Sequence, residues 1–228
     1  MPLLALLSAA AAAAQLDLAL RTDVPVMVGA SATVEGAHRL RGRLSGGVMP
    51  GPYVDLTNAA MTGFGVYSTT VADIIELALR RSLVLRLEGG WRPIEGRGLT
   101  LGGGYQLLGL GGDSTDLSLF GEAMDPRLLA RAQAVTGDLE VGVAAHMLTA
   151  EVGYEWVVKD HLVLTASLGF AGTVAAGARA EATKELSGPL EGEIRDAAVA
   201  GAADYLDYVF EEWVHLPMIG VSAGWRLP

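Results

Sequence analysis

Along most of this chain apolar residues alternate one for one with polar or small ones. Leu16, Leu18 and Leu20 alternate with Asp17 and Ala19. Val24, Val26, Val28, Ala30, Ala32 and Val34 share one face, and Met27, Gly29, Ser31, Thr33 and Glu35 the other. The same pattern sets Leu40, Leu44 and Val48 against Arg39, Arg41, Arg43 and Ser45, and Leu83, Leu85, Leu87 and Trp91 against Arg86, Glu88 and Arg92. A period of two is that of a β-strand with one apolar face. The alternation predicts strands at about 24–36, 38–48, 82–92, 98–109, 138–158, 161–178 and 216–227, with an eighth at 15–22. Apolar parity slips between Met147 and Ala150, which predicts a bulge or a break there. Splitting that hairpin would give ten strands in place of eight.

Short turns at Ala37-His38, 93–98 and Lys159-Asp160 join the strands into hairpins. Three partly helical excursions separate them, at about 49–81, 111–137 and 181–213. Val71, Ile74, Ile75, Ala78 and Leu79 have helical spacing behind a Thr69-Thr70 cap. Asp125-Pro126 opens a helix in the second excursion. In the third, Pro189 starts a helix with Ile194, Ala198, Ala202, Tyr205 and Val209 along one side. With eight strands, the tight turns and both termini share one end and the excursions share the other.

Alternation alone does not separate a soluble sandwich from a membrane barrel; the charged residues point to the second. Glu35, Arg39, Arg41, Arg43, Arg86, Glu88, Arg92, Glu151, Glu155 and Arg226 all fall on the polar face. In a barrel that face lines the interior, where guanidinium–carboxylate pairs fill the lumen. The chain has only two lysines, Lys159 and Lys184, and arginine suits partly buried pairs better. Trp91, Trp156 and Trp225 lie on the apolar faces close to turns or the terminus, at one predicted height. That placement reads as an aromatic girdle at a membrane interface. On the opposite rim the pattern offers Tyr105 and Trp213.

Composition narrows the function classes. Of 228 residues 51% are hydrophobic, which excludes a disordered chain. The absence of cysteine removes disulfides, zinc–thiolate sites and thiol nucleophiles. A net charge of −10 argues against binding nucleic acid through its phosphates. Residues 181–212 alone hold nine acidic and two basic residues, by default a solvated helix face, with a divalent-cation or lipopolysaccharide-counterion surface and a partner-binding helix as the alternatives. Leu3 to Ala14 form an apolar run too short for a spanning helix, and residues 1–14 read as a secretory signal with Ala12-Ala13-Ala14 before the cut. An alanine-rich helix that stays attached is the alternative. Residues 15–228 are then one barrel domain.

The alternating glycine-rich strands, the leader-like N-terminus and the final strand ending Ala223-Gly224-Trp225-Arg226-Leu227 resemble small bacterial outer-membrane β-barrel proteins. The resemblance implies an antiparallel, up-and-down transmembrane barrel, all-β with helical insertions. It also implies the lipid bilayer and the outer-membrane assembly machinery as partners. His38, His146, His161 and His215 have no metal-ligand spacing, and no nucleophile elbow or phosphate loop appears. The sequence therefore predicts no catalytic residue, no metal and no cofactor. The expected role is a non-enzymatic structural or interaction protein of the outer membrane. A small-solute channel and a soluble periplasmic barrel binding a lipid or apolar ligand are the alternatives.

Overall fold

A computed structural model describes residues 15–79, 82–94, 98–115, 130, 139–182 and 189–227. The leader-like residues 1–14 and the Asp125-Pro126 segment lie outside them. The elements in order are β1 (Gln15–Val24), β2 (Met27–Glu35), a 3-10 turn (Ala37–Arg39), β3 (Leu40–Val48), α1 (Gly51–Gly63), α2 (Thr69–Leu79), β4 (Leu83–Trp91), β5 (Leu99–Thr115), β6 (Leu139–Val158), β7 (Leu162–Ala182), α3 (Pro189–Trp213) and β8 (His215–Leu227). Each strand pairs antiparallel with its neighbour in sequence, and β8 closes on β1. The fold is a closed eight-stranded up-and-down barrel.

The register fixes the barrel's shape. Stepping across paired residues from Trp225 passes Leu18, Ala32, Leu44, Leu87, Tyr105, Leu148 and Gly172, and re-enters β8 at His215. That is ten residues from the start (225 to 215). A shear of ten over eight strands tilts the strands by about 41° at ordinary strand rise and spacing. On the same dimensions Trp91, Trp156 and Trp225 fall within about 4 Å of one height, and His146 and His215 stand about 25 Å above them. Between these levels the outward positions are apolar apart from Thr22, and Leu20, 75% exposed, stands out furthest on β1.

Two local features differ from the sequence pattern. Val24 ends β1, Val26 belongs to a two-residue turn, and Asp23 pairs with Met27, so β2 starts later than its apolar alternation suggests. The parity of β6 does not slip. Val143, Ala145, Met147 and Thr149 all point inward, and the register shift falls on β7 at Val174, opposite His146 and Met147. Val143, Ala145 and Met147 are apolar but inward because the upper interior is filled by helix-borne apolar side chains. A rule of apolar outside therefore misreads that stretch. Ten strands are not formed.

β5, β6 and β7 continue about 15–20 Å beyond the apolar belt. β8 pairs with β7 only as far as His215 and Gly172, which leaves the upper edge of β7 without a strand. α3 covers it: Asp207 accepts a hydrogen bond from the Ala178 amide at 2.7 Å, and Glu211 one from Ala176 at 3.4 Å. An edge of free amides is thus capped by side-chain carboxylates in place of another strand.

Candidate functional site

The barrel interior holds the chemistry-bearing side chains. Inward positions carry Arg21, Arg41, Arg43, Arg86, Arg92 and Arg226 with Asp17, Asp23, Glu35, Glu88, Glu151 and Glu155. Six cations meet six anions, so the described interior is electrically neutral and the excess negative charge lies elsewhere on the chain.

The pairs divide into two sets. At the height of the tryptophans, Glu155 accepts from Arg41 at 2.5 Å, Arg92 at 2.8 Å and Arg226 at 3.1 Å. Glu35 accepts from Arg92 at 3.0 Å and lies 3.6 Å from Arg41, while Asp17 takes both nitrogens of the Arg226 fork at 3.0 Å. The second set lies about 10 Å higher. There Asp23 joins Arg21 and Arg86, each at 2.8 Å, and Glu151 joins Arg43 at 2.9 Å and also Arg21. Glu88 completes it at 3.5 Å from Arg43. Each set holds three arginines and three carboxylates, and no ion pair among the described residues links them.

This division follows from physical cost. A buried charge is tolerated only when paired and hydrogen-bonded. A planar guanidinium can hold two carboxylates at once, which a point-like ammonium does less well. An eight-stranded barrel has room for long side chains only where the facing positions are small. Gly220 provides such room: a Cβ there would overlap the Asp23 carboxylate and the Ser167 hydroxyl. Between the two sets lies a cavity of about 20 Å³ lined by Thr33, Arg41, Arg43, Glu88, Thr100 and Glu151. Arg41 Nε and Nη1 are buried without a hydrogen-bond partner. The space accepts one water, which could bridge Arg41 to the upper carboxylates.

Above the charges the lumen turns apolar. Arg86, 1% exposed, donates to Gln106 at 2.8 Å and touches the Met218 sulfur at 3.2 Å. Gln106 in turn contacts the Met147 sulfur at 3.2 Å. Over this layer Met27, Met49, Val84, Leu108 and Leu216 pack with Ile74 and Ile75 of α2 and with Leu206 and Phe210 of α3. A Tyr67–Asn58–Ala72 chain ties α1 to α2. Tyr67 donates to Asn58 Oδ1 and Asn58 Nδ2 donates to the Ala72 carbonyl, both at 2.8 Å. Burial pushes the Tyr67 phenol up to about 12. The α2 cap is Ser68, whose hydroxyl accepts from the Val71 amide, and not Thr69 or Thr70. Tyr53 anchors α1 to β1 through Thr22 at 2.7 Å.

Nine of the ten charged residues read from the alternation lie in this interior. Arg39 does not. It sits in the 3-10 turn with φ 63° and, among the described residues, its side chain reaches the Pro93 carbonyl, because the turn breaks the strand alternation before β3 begins. The sequence reading missed Asp17, Arg21 and Asp23, which alternate with Leu16, Leu18 and Leu20 on β1. The signal is in the alternation itself: Asp17, Arg21 and Asp23 share the β1 face opposite Leu16, Leu18 and Leu20.

Trp91, Trp156 and Trp225 all point outward, 45%, 48% and 54% exposed. Trp225 stacks on His161 with ring centroids 5.4 Å apart, and Tyr154 lies against Trp156 at 4.9 Å. At the other end of the belt Tyr105 hydrogen-bonds His146, and Phe170 stacks on His215. Trp213 is absent from that rim; it packs edge-on against Tyr67 inside the helical plug. His38 lies in the turn beside Arg39.

No protein-family profile matches the sequence, and a search of curated proteins finds no match. Among solved structures the chain is similar to the crystal structure of Acinetobacter baumannii CarO, at 11% identity and a TM-score of 0.33, with 92% of this chain and 97% of that chain covered.

Proposed function

We propose that this protein is a non-enzymatic outer-membrane barrel, a closed anchor whose helix-bearing end carries out recognition. One observation carries the reading: the polarity is inside-out, with neutralised ion pairs within and an apolar belt about 25 Å tall outside, the height of a barrel's apolar band. A soluble lipid-binding barrel needs the reverse, an apolar interior and a polar wall. A solute channel needs an open lumen; here two layers of ion pairs and an apolar plug fill it. Tryptophans bounding one edge of the belt fit its turn-side interface.

The test combines cell fractionation, gel mobility before and after boiling, and planar-bilayer conductance. The reading predicts recovery with outer membranes, a mobility shift on boiling and no steady conductance. Recovery in a soluble fraction without detergent would end the membrane reading, and stable conductance would restore the channel.

A further inference from the structure

The wall is not uniform. Leu20 forms a ridge between two shallow troughs of about 800 and 580 Å³ on the β7–β8–β1–β2–β3 side. The larger is floored by Ala30, Ala32, Gly46 and Ala223, small residues where most outward positions carry leucine or valine. Its lower end is closed by Trp225, which stacks on His161 of the β6–β7 turn. The same turn exposes Lys159, which pairs with no carboxylate among the described residues. The two ends of the molecule also differ in charge. Asp204, Asp207, Glu211 and Glu212 crowd the helix end, whereas Arg39, His38, Lys159 and His161 stand at the turn end with one exposed carboxylate among the described residues, Asp160.

We infer that this trough is a binding site for a glycerophospholipid of the turn-side leaflet, its phosphate on Lys159 and His161 and its acyl chain along the Ala30–Ala32–Gly46–Ala223 floor. The occupant follows from three features together: an apolar trough within the belt, an aromatic pair at the interface, and an exposed lysine two residues from His161 on the turn that this pair anchors. An apolar ridge of a second protein chain would use the floor but leave Lys159 unused. The inference rests on the membrane reading above and adds a specific ligand to it.

The test reconstitutes the full-length protein in vesicles of phosphatidylethanolamine and phosphatidylglycerol, extracts it in mild detergent, and counts retained lipid by native mass spectrometry. Lys159→Glu and Ala30→Trp should each cut retention about fivefold or more. Ala150→Trp, outward on the β5–β6 side, should leave it unchanged. Each variant is first checked for its mobility shift on boiling. Equal retention by all three variants, or no retained lipid on a wild type that inserts and shows the shift, overturns the lipid site while the membrane reading stands. Retention of a dimer in place of lipid also overturns it. A wild type that neither inserts nor shifts fails the membrane reading itself.

Discussion

Arg86 of β4 and Asp23 of β1 meet across the lumen at 2.8 Å, from strands that are not neighbours in the sheet, and both side chains are essentially dry. Such a contact braces opposite walls and has no counterpart in the backbone ladder. Removing one partner strands a charge at mid-height. Arg86→Met should therefore cost about 3 kcal/mol, at the low end for a broken buried pair because Arg21 still holds Asp23. Urea titration of folding into lipid vesicles measures it. The double variant with Asp23→Asn should recover part of the loss.

The lower set should respond differently. Glu155 serves three arginines, so Glu155→Gln leaves Arg41, Arg92 and Arg226 facing one another. We expect a loss of about 3 kcal/mol in the same titration. Glu35, more exposed and nearer the rim, should cost about 1 kcal/mol or less when changed to Gln. Equal costs would show that the carboxylates share the load evenly.

Glycines separate by which way they face. Gly220→Val drives a side chain into Asp23 and Ser167 and should abolish the boiling-dependent mobility shift. Gly42→Ala points outward into open space and should leave folding within about 0.5 kcal/mol of wild type.

The helical plug should loosen before the barrel. Tyr67→Phe deprives Asn58 Oδ1 of a buried donor, a cost of about 1–3 kcal/mol. Amide exchange should rise in α1 and α2 and not in the strands. The phenol's folded value, about 12, lies above its ordinary 10. Its contribution is therefore complete below pH 10 and is lost as pH rises from 10 to 12. Phenolate absorbance against exchange in α2 follows that window.

Fluorescence depth separates the tryptophans. Lipids carrying a quencher near the headgroup should quench Trp91, Trp156 and Trp225 alike, in variants retaining one tryptophan each. Trp213, packed against Tyr67 in the plug, should be quenched far less.

The strands and the outward side of most of them were legible because strand periodicity is a local property, written residue by residue. The buried face of α3 was legible for the same reason: Ala198, Ala202 and Val209 are buried and Ile194 and Tyr205 pack beside them, as their spacing predicts. Arg39 was misassigned because a turn interrupts the alternation where no local signal marks its end. The apolar parity slip between Met147 and Ala150 suggests a bulge on β6, yet Val143, Ala145 and Met147 simply face inward, because alternation reports polarity and not direction. What lies opposite an inward residue depends on distant elements, here α2 and α3.

Pairing is likewise beyond the sequence. Charge types named the lumen residues, but only closure with a shear of ten sets Glu155 among three arginines and sorts twelve charges into two neutral layers. The chain by itself determined a ribbon with one apolar and one charged side. Barrel closure decided which charges meet, because ion pairing depends on angstrom distances between strands far apart in sequence, and no local pattern encodes those.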